Sequence, residues 1–240
     1  MQIEVSHGER ETSDLGGLTE IDGITRVSPD LIVEVTQFCD HSCNGCYAPL
    51  LPQSPSMTRL PGKSEGCISC DALTKALAGL GKLGSIGLRG GEPTLHPQLP
   101  EIVRIAASHA ETVFLHTHGR WLLDPNRVAL LDGLRSAPPV ILVSYDEMHR
   151  TTPAQLTQMI NTIELAGLDY RVCVTEPNIS CFKATRHTCD WIADERFVFL
   201  VKAFSEDRLP KPKHGVVNVD GMILRSLSVR SSFRAIRHFE

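Results

Sequence analysis

The chain has 240 residues, of which 42% are hydrophobic and 22% charged, enough for one sizeable core and ordinary for a globular protein. Its net charge of −4 gives no electrostatic case for nucleic acid as a partner, and no apolar run reaches the roughly 18 residues of a membrane span. The polar N-terminus MQIEVSHGERETSD carries no signal-peptide pattern, so the expected compartment is cytoplasmic, where eight cysteines read as metal ligands, redox groups or buried thiols rather than disulfides. Acids gather before residue 30 and bases after residue 208, which reads as two solvated termini.

Residues 1–30 form a polar lead-in with room for one short strand. Apolar runs then recur at Leu31–Val35, Ile86–Leu88, Val113–Leu115, Val140–Val143, Arg171–Val174 and Phe197–Val201. From the second onward they start about 27 residues apart, one strand plus one crossover helix. Helix starts are signalled by Pro100, by Asp124 with Pro125, and by Thr152 with Pro153. In the last of these, Leu156, Met159, Ile160 and Ile163 repeat at helical spacing and Gly167 supplies a left-handed cap. Such alternation predicts an α/β fold with a parallel sheet, and six strands suggest a partial (β/α)6 TIM-like barrel rather than a closed eight-fold one. The core domain is expected over 31–205, followed by a C-terminal loop, hairpin and basic tail over 206–240. Residues 47–70 form a long Pro/Gly/Ser-rich loop, and long loops inside compact domains are commonly functional.

Three cysteines, Cys39, Cys43 and Cys46, follow the first predicted strand, at the carboxyl edge where parallel sheets gather reactive groups. Two metal readings are open. Cys43 and Cys46 with Cys67 and Cys70 have the spacing of a four-thiolate zinc site, which leaves Cys39 without a role. Alternatively, Cys39, Cys43 and Cys46 hold three irons of a [4Fe–4S] cube and leave the fourth iron open.

CDHSCNGC at 39–46 resembles the CxxxCxxC motif of the radical SAM superfamily, and LRGGEPTLHP at 88–97 resembles its GGE motif after the second strand. The resemblance covers about residues 30–205 and implies that S-adenosylmethionine (SAM) binds the unique iron. It also implies that Gly90 and Gly91 let backbone approach the methionyl group and that Glu92 takes the SAM ammonium. Thr117 and His118 stand where many relatives carry a Thr-Asn-Gly turn, so His118 departs from the pattern. Gly45 departs too, since relatives place an aromatic residue there; Tyr47 is the expected substitute near adenine.

By this resemblance, one electron passes through the cluster to the sulfonium of SAM, and the resulting 5′-deoxyadenosyl radical takes a hydrogen atom from substrate. Ser144 and Asp146 share one face of the chain after the fourth strand. Ser144 is expected at SAM, and Asp146 or Glu147 at the substrate. In YRVCVTEP, Arg171 and Cys173 share a face; if that face is inward, Arg171 meets a carboxylate or ribose and Cys173 returns a hydrogen atom. The bland alternatives are a helix opening at Asp146, Glu147 and His149, and a buried inert thiol at Cys173. An auxiliary Fe–S or zinc site at Cys67 and Cys70, with Cys181 and Cys189 lacking motif spacing, is a further reading. His116 and His118 could also hold a divalent ion, although hydrogen-bonding histidines are the simpler account. The expected partners are a small-molecule substrate and a one-electron donor such as flavodoxin or ferredoxin. The alternatives are modification of RNA or a peptide through the tail Arg225–Arg237, or a non-catalytic zinc-binding interaction protein.

Overall fold

The computed structural model describes residues 16–21, 24–43, 66–146, 149–174, 191–199, 214, 216–221 and 223–224. Cys46, Tyr47, Glu147, Cys181, Cys189 and the 226–239 tail lie outside the described residues. No described helix is long and apolar enough to cross a membrane.

One sheet organises the chain. Its strands are β1 (Leu18–Ile21), β2 (Ile24–Val27), β3 (Leu31–Thr36), β4 (Leu83–Gly90), β5 (Ala110–Thr117), β6 (Val140–Ser144), β7 (Tyr170–Val174), β8 (Phe197–Phe199), β9 (Val216–Val217) and β10 (Ile223–Leu224). They lie in the order β1-β2-β8-β7-β6-β5-β4-β3-β9-β10. From β3 to β8 every neighbour is the next strand in sequence and every pairing is parallel, the succession that one-handed crossovers generate. These are the six strands legible in the sequence, and they form the open, partial barrel expected of them. At one side β2 runs parallel to β8 with β1 folded back on it; at the other, β9 runs parallel to β3 and carries β10.

The helices α1 (Cys70–Leu77), α2 (Leu99–His109), α3 (Leu130–Leu134) and α4 (Pro153–Leu165) share one apolar core with one face of the sheet. Leu31, Val33 and Val35 of β3, Ile86 and Leu88 of β4, Val113 and Leu115 of β5, Ile141 and Val143 of β6, and Val172 and Val174 of β7 all point to this core. Strand side chains alternate between faces, so the complementary set, which includes Phe114, Val140, Leu142 and Cys173, forms a second, smaller cluster. That assignment resolves the parity of β7: Arg171 and Cys173 lie on the face away from the helices.

Local signals explain the helix ends. Ser69 accepts a hydrogen bond from Ala72 N at 3.1 Å and starts α1. Thr152 and Gln155 close a capping box, with Gln155 N donating to Thr152 Oγ1 at 3.3 Å and Thr152 N to Gln155 Oε1 at 2.9 Å. After α4, Gly167 takes φ +71°, and Leu168 N reaches back to Ile163 O at 3.2 Å, a Schellman close. Thr152→Ala is expected to cost about 1 kcal/mol, read as a lower chemical-denaturation midpoint at unchanged slope. Around α3 the expectation is only half met. Asp124 Oδ1 accepts from Asn126 N at 2.9 Å, yet bonds such as Leu130 N to Arg127 O and Leu131 N to Val128 O tighten the segment. These three-residue closures belong to a 3₁₀ turn, so the α-helix proper begins at Leu130.

Candidate active site

Parallel strands bring their carboxyl ends to one edge, and the motif residues meet there. The cysteine loop leaves β3 at Thr36, whose Oγ1 accepts from Phe38 N at 3.1 Å and lies 3.2 Å from Cys67 Sγ. On one side Gln37 N donates to Gly66 O at 2.7 Å and Ile68 N to Val35 O at 2.9 Å. On the other, Gly91 N donates to Thr36 O at 2.8 Å and Glu92 N to Phe38 O at 2.6 Å. The loop entrance is therefore clamped between the 66–68 segment and the end of β4.

Such closeness requires glycine. A Cβ at Gly90 would stand 2.1 Å from Thr36 O, and one at Gly91 would stand 2.0 Å from Phe38 O. The sequence suggests that these glycines make room for a ligand; their described contacts make room for the chain's own backbone.

Glu92 is wholly buried. Its Oε1 accepts from Thr94 N at 3.1 Å, Thr94 Oγ1 at 2.7 Å and Thr117 Oγ1 at 2.8 Å. Its Oε2 accepts from His118 N at 3.0 Å and stands 3.2 Å from His118 Nε2. A carboxylate has about four lone-pair positions; four hydrogen bonds from the chain fall on this one, three on Oε1 and one on Oε2. The carboxylate expected to meet an ammonium also carries a structural load, holding Thr94, Thr117 and His118. Thr117 is likewise engaged, since its Oγ1 also accepts from Gly119 N and from Trp121 Nε1, each at 3.0 Å.

His118 links this buried turn to the cysteine loop. Arg120 N lies 3.1 Å from its Nδ1, and its Nε2 lies 2.8 Å from Asp40 Oδ1. Burial disfavours the charged ring, but Glu92, Asp40 and a hydrogen bond with Cys39 together raise its pKa. Asp40 is held well below the usual carboxylate range, chiefly by the hydrogen bond from His118 and then, against its partial burial, by Arg127. Arg127 donates to Asp40 Oδ2 at 2.7 Å and to Thr94 Oγ1 at 3.0 Å, closing a ring that runs Glu92, His118, Asp40, Arg127 and Thr94. The departure of His118 from the relatives' Asn thus has a structural correlate.

A parallel arrangement serves the second cysteine. Asp146 Oδ1 accepts from His149 N at 3.1 Å and His149 Nδ1 at 2.7 Å. Burial lowers the ring's pKa, yet Asp146 and Cys43 overcome this and push it up to about 9. With Nδ1 on Asp146, Nε2 is the nitrogen left for the Cys43 thiol. His41 Nε2 bonds His149 O at 3.0 Å, and its ring lies 5.5 Å from that of His118. Each described motif cysteine therefore has an imidazole beside it, backed by carboxylate. The sequence assigns His149 only to a helix opening; the Asp146–His149 spacing of three, directly after a strand end, was the available signal.

Ser144 is partly exposed at the end of β6 and stands opposite Cys173 in register. Cys173 is buried, and its thiol is pushed up to about 12 by burial and by nearby Asp146. Arg171 lies near the amino end of β7, donating to both Asp169 oxygens and to Tyr170 O at 2.7 Å; it is thus set away from the carboxyl edge. The only group of three or more potential ligands within 4.8 Å of one another, among the described residues, is Cys39, Asp40 and His118. Cys43, Cys67 and Cys70 do not gather into a zinc site there, nor do His116 and His118 join a third ligand.

No family model matches the chain. It is 29% identical over 157 residues to a GTP 3',8-cyclase of Chlorobaculum tepidum, covering 57% of this chain and 45% of that protein. To a GTP 3',8-cyclase of Tolumonas auensis it is 31% identical over 119 residues, covering 48% of this chain and 33% of the relative. The chain thus spans less than half the length of the curated relatives it matches. Among solved structures, histidine-tagged anSMEcpe with bound AdoMet aligns with a TM-score of 0.49 and 15% identity over 76% of this chain and 56% of that one.

Proposed function

We propose that this chain is a radical SAM enzyme that binds a [4Fe–4S] cluster and SAM and acts on a small molecule in the cytoplasm. The observation that carries the reading is the clamp of the Cys39–Cys43 loop against the Gly90–Glu92 turn at the carboxyl edge of the sheet. The donor set fits the cluster: Cys39 and Cys43 are free and partly exposed, and iron–sulfur clusters are held by cysteine sulfur. With Cys46 they would hold three irons. When bound, these cofactors supply a 5′-deoxyadenosyl radical able to take a hydrogen atom.

The chain's own residues orient and protect that chemistry. Thr36, Gly90 and Gly91 fix the loop; Glu92 and Thr117 act by holding the turn beneath it. Ser144 and Tyr47 are assigned to SAM. Asp146 orients His149, leaving Glu147 as a candidate for the substrate. Cys173, kept protonated by burial, has the form a hydrogen-atom donor needs. A flavodoxin or ferredoxin would supply the electron. The names of the curated relatives, enzymes of GTP, support a small substrate.

Anaerobic purification tests the reading. The expected protein is brown, with about four irons per chain, and forms 5′-deoxyadenosine from SAM under dithionite; Cys39→Ala and Cys43→Ala lose both properties. A colourless wild type that carries zinc and leaves SAM intact would overturn it.

A further inference from the structure

Beneath the site, the face of the sheet away from the helices carries a charged row that the proposed function does not use. Glu34 of β3 stands opposite Arg89 of β4, and His116 of β5 follows the Leu88–Leu115 pair by one residue. All three keep part of their surface accessible. Burial nevertheless raises the pKa of Glu34, and with Arg89 alongside it takes His116 down to about 3.

Arg89 is anomalous within that row. Its side chain is 15% exposed, and its ion-pair contact is Glu34 Oε1 at 3.8 Å, too long for a hydrogen bond. Its Nε is buried without a partner, as is that of Arg171, so what sets Arg89 apart is the rest of its guanidinium. Among the described residues the guanidinium donates no hydrogen bond. By contrast, Arg127 and Arg171 of the same sheet edge and face each donate several. A buried Nε–H left without an acceptor is costly, by about 1–3 kcal/mol. A planar fork of this kind is matched by two oxygens of a carboxylate or phosphate. Arg89 immediately precedes Gly90 and Gly91, so a group held there sits directly below the turn that supports the cysteine loop.

We propose that Arg89 anchors an anionic group of the substrate, a carboxylate or a phosphate, with His116 beside it and Glu34 holding the guanidinium in place until the anion arrives. This rests on the function proposed above and narrows it to acidic small molecules.

Binding to the SAM-loaded holoenzyme is measured by calorimetry with two probes, inorganic tripolyphosphate and citrate, which separate the phosphate and carboxylate sources. One probe is expected to bind the wild type, and Arg89→Gln to weaken it at least ten-fold. Glu34→Gln, which removes the competing carboxylate and keeps the arginine, is expected to tighten it; a purely structural ion pair would not give that sign. Arg135→Gln, on an exposed arginine after α3, is the control. Binding of neither probe to the wild type, or equal binding by wild type and Arg89→Gln, would overturn the anchor. SAM cleavage by the wild type without probe is read separately, so its absence would count against the proposed function and not against Arg89.

Discussion

Gly91→Ala is expected to destabilise the folded chain by on the order of 3 kcal/mol and to leave the protein largely without iron. The new Cβ would lie 2.0 Å from Phe38 O, 2.5 Å from Phe38 C and 3.0 Å from Gln37 O. These are backbone atoms, so no side chain can rotate away. The strand end or the loop must move by more than an ångström. Either movement breaks Gly91 N to Thr36 O and Glu92 N to Phe38 O, each worth about 1 kcal/mol, on top of an overpacking cost of about 1–3 kcal/mol. Phe38 directly precedes Cys39, so the displacement reaches the first thiol. Thermal melting should show a drop of roughly 6–12 °C for a domain of this size, and the iron content should fall with it. Gly79→Ala is the matched control: nothing stands within 4 Å of its Cβ, and the change should be neutral or stabilising by up to about 1 kcal/mol. A Gly91→Ala protein that melts and loads like the wild type would mean that close approach does not hold the loop.

What the sequence made legible was local. Strand runs, the spacing between them and the capping of α4 depend on near neighbours, and each of these features appears where its pattern stood. The same patterns put the cysteines and the Gly90–Glu92 turn at one edge, because parallel pairing leaves no other option for residues that directly follow strands. Contacts across register were not legible. Asp40 and His118 are 78 residues apart, and Arg127 and Asp40 are 87 apart; only the alignment of β3 with β4 and β5 brings them together. Likewise, the hairpin of β1 and β2 joins β8 from the far end of the chain, which periodicity alone cannot foretell. Arg171 shows the limit from another side. Parity grouped it correctly with Cys173, but parity says nothing of height along the strand, and two residues of rise leave it beside Asp169.

Glu92 offers the sharpest separation of a ligand-binding role from a structural one. If its carboxylate met the SAM ammonium, Glu92→Gln would weaken SAM binding and leave the SAM-free protein as stable as before. The observed bonding predicts otherwise. A carboxamide has one accepting oxygen, whereas Glu92 receives Thr94 and Thr117 on Oε1 and His118 on Oε2. Whichever way the amide turns, its NH₂ faces donors, and at least one buried donor loses its acceptor. The loss of charge also leaves His118 with Asp40 alone as its carboxylate partner. Together these should cost about 2–4 kcal/mol in the absence of SAM. Glu92→Ala, which removes both oxygens and opens a cavity, should reach about 3–5 kcal/mol or prevent folding. Denaturant unfolding of the SAM-free protein reads the difference directly. Wild-type stability for Glu92→Gln together with weakened SAM binding would return the carboxylate to the ammonium. A lowered midpoint without SAM makes Glu92 the buried post on which the turn after β5 and, through His118 and Asp40, the cysteine loop are hung.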